Sequence, residues 1–266
     1  MYNQYTYQCL GAVNRHMKVL GDKVTDVSNI FTIGYQGKTN TFHDTLNGLR
    51  VTERKDFNPG VPGKTNGELD FAIGGKGFFE VELPDGTRGY TRNGAFTVGA
   101  DGQLLSAQGY PLVTASPGSE FVSKDYDSFS EGGTLSFDAG VGAGAIIIPT
   151  ASTIMMDDDG TLKTSEGNVI GKLSVVAFTN VDGLHDVGDG LYIPTAESGD
   201  IHELEIGTML GQTQVRQGHL EQANVSIIDK MADIVQINTA IKAEMKIIKV
   251  LDQMQENLNS TITRNI

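Results

Sequence analysis

Tryptophan is absent from this 266-residue chain, and cysteine occurs only once, at Cys9. A single cysteine cannot form a disulfide within the chain. A structural zinc site needs several Cys or His ligands, and five scattered histidines do not supply one. We therefore expect no structural metal site, and we interpret Cys9 as a small apolar residue of a helix.

Positive charge is also scarce. The chain has 20 Lys and Arg residues but 33 Asp and Glu residues, so its net charge is −13. A surface this acidic repels phosphate backbones and anionic lipids, which argues against nucleic acid and membrane surfaces as partners. No run approaches the roughly 20 apolar residues that span a bilayer. Residues 1–8 lack the basic and apolar regions of a cleaved signal peptide, so these rules alone predict a cytoplasmic protein unless another export route exists.

Apolar residues recur at alternating steps of three and four near both ends of the chain. This spacing places them on one narrow stripe of a helix, as in the seam of a coiled coil. The N-terminal stripe consists of Leu10, Val13, Met17, Leu20, Val24 and Val27, and the C-terminal stripe consists of Ile227, Met231, Ile234, Asn238, Ile241, Met245, Ile248, Leu251 and Leu258. We call these residues the assembly seam, because two adhesive terminal helices indicate a subunit that joins others. The polar Asn238 either faces solvent or fixes the register between helices.

The middle of the chain has β character. Short runs of apolar residues are separated by turn dipeptides such as Asn93-Gly94 and Asp101-Gly102, which are strong local signals for hairpins. The total of 33 glycines suits many tight turns. No helical pattern of comparable strength interrupts this region.

These patterns predict an α+β fold in which N- and C-terminal helices pair as a coiled-coil core segment around a mainly antiparallel β central body. The terminal helical core domain comprises residues 1–35 and 208–266. Residues 36–68 form an extended connector, and residues 69–207 form the β-rich body. A loop-rich insertion occupies about 114–145 within that body.

Several segments resemble, in order, the sequence landmarks of bacterial flagellar rod and hook proteins. Ser28 to Tyr35 is similar to the end of the family's first helix, Leu69 to Val81 to the start of its β core, and Val215 to Val225 to the opening of its C-terminal helix. The residues that carry the match are Asn29, Gly34, Leu69, Asp70, Gly77, Phe78, Phe79, Tyr90, Thr91, Arg92, Gly94, Phe96, Gly109, Tyr110, Pro111, Arg216, Gly218, Leu220, Glu221, Asn224 and Val225. Each segment alone is a weak signal, whereas the ordered set is specific. Phe31 and Gln36 stand where the family commonly has Asn and a basic residue.

The resemblance implies a structural subunit of the flagellar basal-body rod, without enzymatic activity or cofactor. Such subunits leave the cell unfolded through the flagellar type III export channel, without a cleaved signal peptide. They then stack helically across the periplasm, with the terminal helices inside and the β region outside. The implied partners are copies of the chain, other flagellar rod and hook subunits, the export apparatus and the surrounding ring proteins. Distal and proximal rod positions both fit.

Two other classes of protein remain open from the residues alone. The first is a secreted helical-stalk adhesin or binding module, whose helices would form a self-contained oligomer such as a trimer. The second is a β-fold hydrolase, for which the paired carboxylates cannot be located from one sequence. Asp157-Asp158-Asp159-Gly160 could open a calcium loop, but Asn168 occupies the position where such a loop ends in Glu, so a plain turn is favoured.

A phosphate-binding loop at Gly74-Gly75-Lys76-Gly77 is disfavoured, because neither the P-loop nor the dinucleotide-binding spacing follows it. His16 and His43 are interpreted as surface or packing residues.

Overall fold

The computed structural model describes residues 2–45, 48–114, 146–148, 153–207 and 213–264. These residues contain two long helices, α1 (Tyr2–Ser28) and α2 (Ile227–Arg264). The strands are β1 (Lys38–Thr45), β2 (Gly48–Lys55), β3 (Pro62–Lys64), β4 (Phe71–Ile73), β5 (Phe78–Glu82), β6 (Arg88–Thr91), β7 (Thr97–Val98), β8 (Leu104–Leu105), β9 (Ile154–Met156), β10 (Thr161–Thr164), β11 (Val169–Lys172), β12 (Val175–Phe178), β13 (Leu184–Gly188), β14 (Leu191–Pro194), β15 (Ile201–Glu203), β16 (Val215–Gln217) and β17 (His219–Glu221). All named strand pairs are antiparallel, so the predicted α+β class is confirmed.

The chain divides into two compact units. The helical unit comprises Met1–Ile30, Gly37–Lys55 and Val225–Ile266, and the β unit comprises Phe31–Gln36 and Asp56–Asn224. Among the described residues, neither helix is long and apolar enough to cross a membrane. The predicted insertion at about 114–145 lies outside the described residues, apart from Thr114.

In the helical unit, α1 lies alongside α2 and also contacts β1. The segment 36–68, predicted as an extended connector, instead contains the β1–β2 hairpin, which pairs from Lys38↔Lys55 to Thr45↔Gly48. Sequence periodicity missed this hairpin because polar contacts attach it to α1. The side chain of Asn40 donates a hydrogen bond to Asp22 of α1 at 2.7 Å, and the His16 and Phe42 rings lie 6.0 Å apart.

Side chains close the last turn of α1 and the first turn of α2. Asn29 and Ser28 both donate hydrogen bonds to the carbonyl of Thr25, at 2.9 and 2.8 Å, where the helix ends. At the start of α2, the Ser226 hydroxyl accepts the backbone N–H of Asp229 at 3.4 Å, as an N-cap does. The helix therefore begins at residue 227. The earlier residues Val215–Gln217 and His219–Glu221, predicted to belong to the helical domain, are strands paired with β4 and β3.

A six-stranded sheet in the order β13-β14-β6-β5-β12-β15 organises the β unit. Successive strand residues point to opposite faces, and both faces are covered. On β5, Phe79 packs in a large aliphatic core whereas Phe78 packs in a smaller aromatic core. On β12, Val175 and Val176 divide in the same way. The two cores explain why β12, with the sequence Val175-Val176-Ala177-Phe178, is a continuous apolar run instead of an alternating one.

The aromatic core is held by edge-to-face ring contacts. The ring centroids of Tyr90 and Phe178 lie 4.8 Å apart, and those of Phe57 and Tyr192 lie 5.3 Å apart. Such pairs contribute about 0.5–1.5 kcal/mol beyond the area that they bury. The smaller sheet β11-β10-β9 packs Ile154 and Leu162 into the aliphatic core.

Candidate assembly surfaces and two buried polar clusters

The predicted seam of α1 is divided between two environments. Leu10, Met17 and Val24 are 48%, 53% and 52% exposed, whereas Val13, Leu20 and Val27 are half-buried. The face of α1 that is buried includes Val19 and Asp26, each two residues further along than an exposed seam residue. Two residues correspond to about 200° of rotation in a helix, so the exposed row points nearly opposite to the buried face.

The predicted seam of α2 is divided in a similar way. Ile241 is buried, whereas Ile234, Asn238, Ile248 and Leu251 are half-buried, and Ile227, Met231 and Met245 are 39%, 52% and 59% exposed. The side chain of Leu258 lies outside the described residues. The sequence reasoning missed further exposed apolar residues of this helix, namely Ile228, Val235, Ile247 and Val250. Met254, which continues the apolar row of the helix beyond Leu251, is also exposed.

Two exposed apolar rows follow from these positions. We call Leu10, Met17 and Val24 the α1 stripe, and Ile228, Met231, Val235, Ile247, Val250 and Met254 the α2 stripe. Phe31, which lies in the β unit, is 94% exposed. Rows of exposed large apolar side chains on a helix are candidates for surfaces that bind other proteins.

A buried polar cluster lies where α1, α2 and β1 meet in the helical unit. Asp26 is fully buried, and its carboxylate accepts the backbone N–H of Lys38 at 3.0 and 3.3 Å. The Lys230 ammonium of α2 lies 2.8 Å from the same carboxylate. Both Lys230 and Lys23 donate to the carbonyl oxygen of Lys38, at 3.1 and 3.3 Å. One buried carboxylate and the backbone N–H and C=O groups of one β1 residue, Lys38, therefore join three elements. We call these residues, with Asp22, the helical-unit cluster.

The charges of this cluster influence one another. Burial lowers the pKa of Lys23, and the nearby Lys230 lowers it further, while Asp233 and Asp26 act in the opposite direction. Burial would also lower the pKa of Lys38, but the carboxylates of Glu53 and Asp22 outweigh it and raise that pKa. No signal in the apolar spacing pointed to this cluster, since its members are the polar residues between seam positions.

A second buried cluster, here called the β-unit clasp, surrounds an Arg92–Glu221 ion pair. Both side chains are 1% exposed. The Arg92 Nε donates to both Glu221 oxygens, at 3.0 and 2.8 Å, and Nη2 lies 2.8 Å from Oε2. The remaining guanidinium donors reach the carbonyls of Gly77 and Gly75, at 2.8 and 2.9 Å. The guanidinium carbon lies 5.8 Å from the Phe78 ring centroid. Each charge is therefore both paired and hydrogen-bonded.

Further donors complete the coordination of Glu221. Its Oε1 accepts the Gly60 N–H at 2.8 Å and the Gln36 side-chain amide at 3.2 Å. Its backbone carbonyl accepts the N–H of Gly34 at 2.8 Å. Gly34 has a φ of 66°, and an added Cβ would lie 2.8 Å from the backbone of Arg92, so only glycine fits this approach.

Asn224 extends the β-unit clasp to neighbouring loops. Its side-chain amide donates to the Gln36 side chain at 2.9 Å and to the carbonyls of Asp56 and Asn58. Its backbone N–H donates to the backbone carbonyl of Tyr35 at 3.2 Å. One amide group thus connects three separate segments of the β unit.

Several family-motif residues meet at this clasp although they are far apart in the chain. These residues are Gly34, Gly77, Phe78, Arg92, Glu221 and Asn224. Gly94 lies nearby in the sequence, and a Cβ there would come within 1.8 Å of the Phe71 carbonyl. Gln36 and Gly60 complete the clasp. The sequence marked Gln36 only as a departure from the family pattern and did not point to Gly60 as a site residue.

The other motif residues are distributed elsewhere. Phe79, Phe96 and the partly buried Leu69 and Tyr110 belong to the aliphatic core, and Tyr90 belongs to the aromatic core. Asp70 accepts the Thr65 hydroxyl at 2.6 Å, and its carbonyl accepts the Gly218 N–H. Thr91 is buried, Leu220 is half-buried and Arg216 is exposed. Gly109 lies in a turn, and Pro111, just after it, pairs with Leu105 in an isolated antiparallel bridge. Asn29 caps α1, and Val225 is buried in the helical unit.

The segments considered for enzymatic sites have local structural roles. In the Asp157–Gly160 turn, the Gly160 N–H donates to the Asp157 carbonyl, and Asp159 accepts the Thr161 N–H at 3.0 Å. In the Gly74–Gly77 loop, two carbonyls face Arg92. Within the described residues, no group of three His, Cys, Asp or Glu side chains is arranged to hold a metal ion.

The two histidines that were considered differ in their surroundings. His16 contacts Glu244 across the helix pair at 3.1 Å, and His43 is exposed.

Comparison with known proteins relates the chain to flagellar axial proteins. Residues 72–164 match the family described as the flagellar hook protein FlgE/F/G D1 domain, and residues 216–261 match the flagellar basal body rod FlgEFG protein C-terminal family.

Individual relatives extend the similarity beyond these two matches. The flagellar basal-body rod protein FlgG of Buchnera aphidicola is 29% identical over 214 residues, which cover 79% of this chain and 71% of the relative. FlgG of Borreliella burgdorferi is 30% identical over 198 residues, covering 74% and 66%. FlgF of Salmonella typhimurium is 24% identical over 276 residues, covering 97% of each chain.

The matched residues include the β-unit clasp partners Arg92 and Glu221 and the exposed rows of α2. The predicted resemblance is thereby confirmed. The chain belongs to the family of flagellar basal-body rod and hook proteins, and it is a structural subunit of the rod.

Proposed function

We propose that copies of this chain polymerise helically, and that the α1 and α2 stripes are the surfaces buried between neighbouring copies. The exposure of these rows in a single copy is the observation that carries the proposal. In the rod, the two helices of each helical core domain would pair with one another and pack on the helices of neighbouring copies, as in a coiled coil. The half-buried residues of the assembly seam would lie in that layer.

The exposed rows are large enough to matter energetically. Complete burial of a Val, Leu, Ile or Met side chain contributes about 1.5–3 kcal/mol relative to full exposure, so burying a half-exposed one contributes about 1 kcal/mol. Association costs about 4–15 kcal/mol in lost freedom of motion. The stripe residues of one copy are therefore comparable with that cost when buried together, and contacts with several neighbours at once would favour a large assembly over a dimer.

Contact between different surfaces of successive copies produces an open filament. The α1 and α2 stripes differ in sequence, so a contact that joins one to the other is heterologous. Heterologous contacts that do not close into a ring generate helical assemblies. This is the geometry that an axial rod requires.

The route to the rod and its wider partners are part of the same proposal. We infer that the subunit travels unfolded through the flagellar type III export apparatus without a cleaved signal peptide, and that the assembled β units face the surrounding ring proteins. The basal-body location of the relatives supports this inference. A structural role without catalysis accords with the family, whose named members are rod proteins.

Sedimentation and electron microscopy of the purified full-length chain test the proposal. We expect the wild-type chain to form elongated polymers as its concentration rises. M17S/V24S, which removes part of the α1 stripe, should remain monomeric at those concentrations. The matched control is M155S/V169S, which changes equally exposed apolar residues of the β unit and should polymerise like the wild type.

Two results would contradict the proposal. One is equal polymerisation of M17S/V24S and the wild type. The other is a fixed small oligomer, such as a trimer, at every concentration, which would indicate a self-contained helical stalk.

A further inference from the structure

We propose that the helical-unit cluster, and not the apolar seam, fixes the register of α1 against α2. The inference deepens the proposed function, because it concerns the helix pair that would form the rod core. Asp26, Lys230 and the backbone of Lys38 carry it.

The apolar contacts between the helices do not by themselves specify one register. Seam residues repeat at steps of three and four along both helices, so a shift by one turn again places apolar side chains opposite apolar side chains. The polar residue of the predicted seam, Asn238, is half-buried, and its side chain makes no hydrogen bond to the other residues that the structure describes.

The polar contacts do specify one register. A shift of one turn moves the Lys230 ammonium by about 5.4 Å along the helix, away from a carboxylate that it now contacts at 2.8 Å. The buried Asp26 carboxylate would then lose its contact with the Lys230 ammonium, and Lys230 would lose the Lys38 carbonyl. Removal of one partner from a buried ion pair is strongly unfavourable, and the apolar seam offers no comparable penalty, because a slip again places apolar side chains opposite one another.

Lys38, whose backbone N–H binds Asp26, is itself held by both α1 and β2. The Lys38 N–H belongs to β1, and Lys38 is also joined to Asp22 of α1 at 3.5 Å and to Glu53 of β2. The backbone group that Asp26 binds is therefore held by both the hairpin and α1, so a slip of α2 along α1 separates Lys230 from the Asp26 carboxylate and from the Lys38 carbonyl.

Other polar contacts between the two helices agree with this register. Lys23 lies 3.8 Å from Asp233, and His16 lies 3.1 Å from Glu244, further along the antiparallel pair. These contacts are more exposed than Asp26, so they accompany the register and are weaker determinants of it.

Spin-label distance measurements on the dilute full-length chain test the inference. Labels are attached to cysteines at Val24 and Val250, which are exposed positions on the two helices, in a Cys9→Ser background. The two positions lie well apart along the helix axes, so a one-turn slip changes the label separation by about 5 Å.

The variant is Asp26→Asn and the matched control is Lys18→Gln, which removes an exposed ion pair with Glu53. We expect a single distance in the parent and the control, and a second population displaced by about 5 Å in Asp26→Asn. An unchanged single distance in Asp26→Asn would overturn the inference.

A further variant separates register from stability. If Asp26→Asn loses helical circular dichroism, Lys230→Gln is measured in its place, and a displaced population there supports the inference. Loss of helicity in both variants, without any displaced population, would show that the cluster only stabilises the pair and would overturn the inference. A broad distance distribution in the parent would also overturn it, while leaving the polymerisation proposal to be judged by sedimentation.

Discussion

Replacement of Glu221 by Gln should destabilise the β unit severely. The substitution keeps the shape of the side chain but removes the negative charge opposite Arg92, and both residues are 1% exposed. The amide nitrogen of Gln would also face a guanidinium that can only donate hydrogen bonds. Arg92 would then be a buried cation without a counter-ion, although the Gly75 and Gly77 carbonyls would still accept from it.

The expected magnitude follows from this loss. Removal of one partner of a buried ion pair costs about 3–5 kcal/mol, because the other charge remains buried. The total free energy of unfolding of a domain is about 5–15 kcal/mol. For a domain of this size, each kcal/mol lowers the melting temperature by about 2–4 °C, so we expect a decrease of about 6–20 °C.

Urea and thermal unfolding, followed by circular dichroism, measure the effect. The matched control is Asp157→Asn, which removes the exposed ion pair with Lys163 and should change stability by less than about 1 kcal/mol. The reasoning is refuted if Glu221→Gln lies within about 1 kcal/mol of the wild type, since the clasp would then not be a coupled ion pair.

Three further predictions, which involve four substitutions, test other parts of the fold by unfolding experiments. Gly94→Ala should be strongly destabilising because its Cβ would meet the Phe71 carbonyl, whereas Gly75→Ala, with open space around its Cβ, should be nearly neutral; similar effects would contradict the packing. Ile241→Ala should cost about 2–5 kcal/mol in the helical unit, and a negligible loss would show that α2 is not packed there. Burial raises the pKa of Glu80 above 4.5, although Arg88 opposes this, so Glu80 destabilises the folded state as pH rises through and above 4.5. Glu80→Gln should therefore gain stability relative to the wild type between about pH 4 and pH 7, and a constant difference would contradict this.

The β unit was largely predictable from the sequence because its signals are local. Turn dipeptides and apolar runs indicated antiparallel strands, and the ordered motifs indicated the family. What the motifs could not show is that Arg92 and Glu221, 129 residues apart, form one buried pair. Their convergence depends on the sheet pairings, which a linear pattern does not encode.

The helical unit was only partly predictable, for a different physical reason. Apolar spacing predicted both helices correctly. It cannot distinguish an apolar side chain that is buried within one copy from one that is exposed on the surface of that copy. Met17 and Leu20 belong to the same predicted seam, yet Met17 is exposed and Leu20 is half-buried. The inward face of α1 also carries the buried Asp26, which binds the Lys38 N–H and which a search for apolar spacing passes over.

Protection of a thiol at position 17 tests the central claim most directly. The variant Met17→Cys in a Cys9→Ser background is labelled with a water-soluble thiol reagent, first as the dilute monomer and then in assembled rods, with Met155→Cys of the β unit as the reference for general accessibility. If the α1 stripe is buried between copies, the labelling rate at position 17 should fall at least tenfold on assembly relative to that at position 155. Equal labelling of position 17 in the monomer and the rod would contradict the claim.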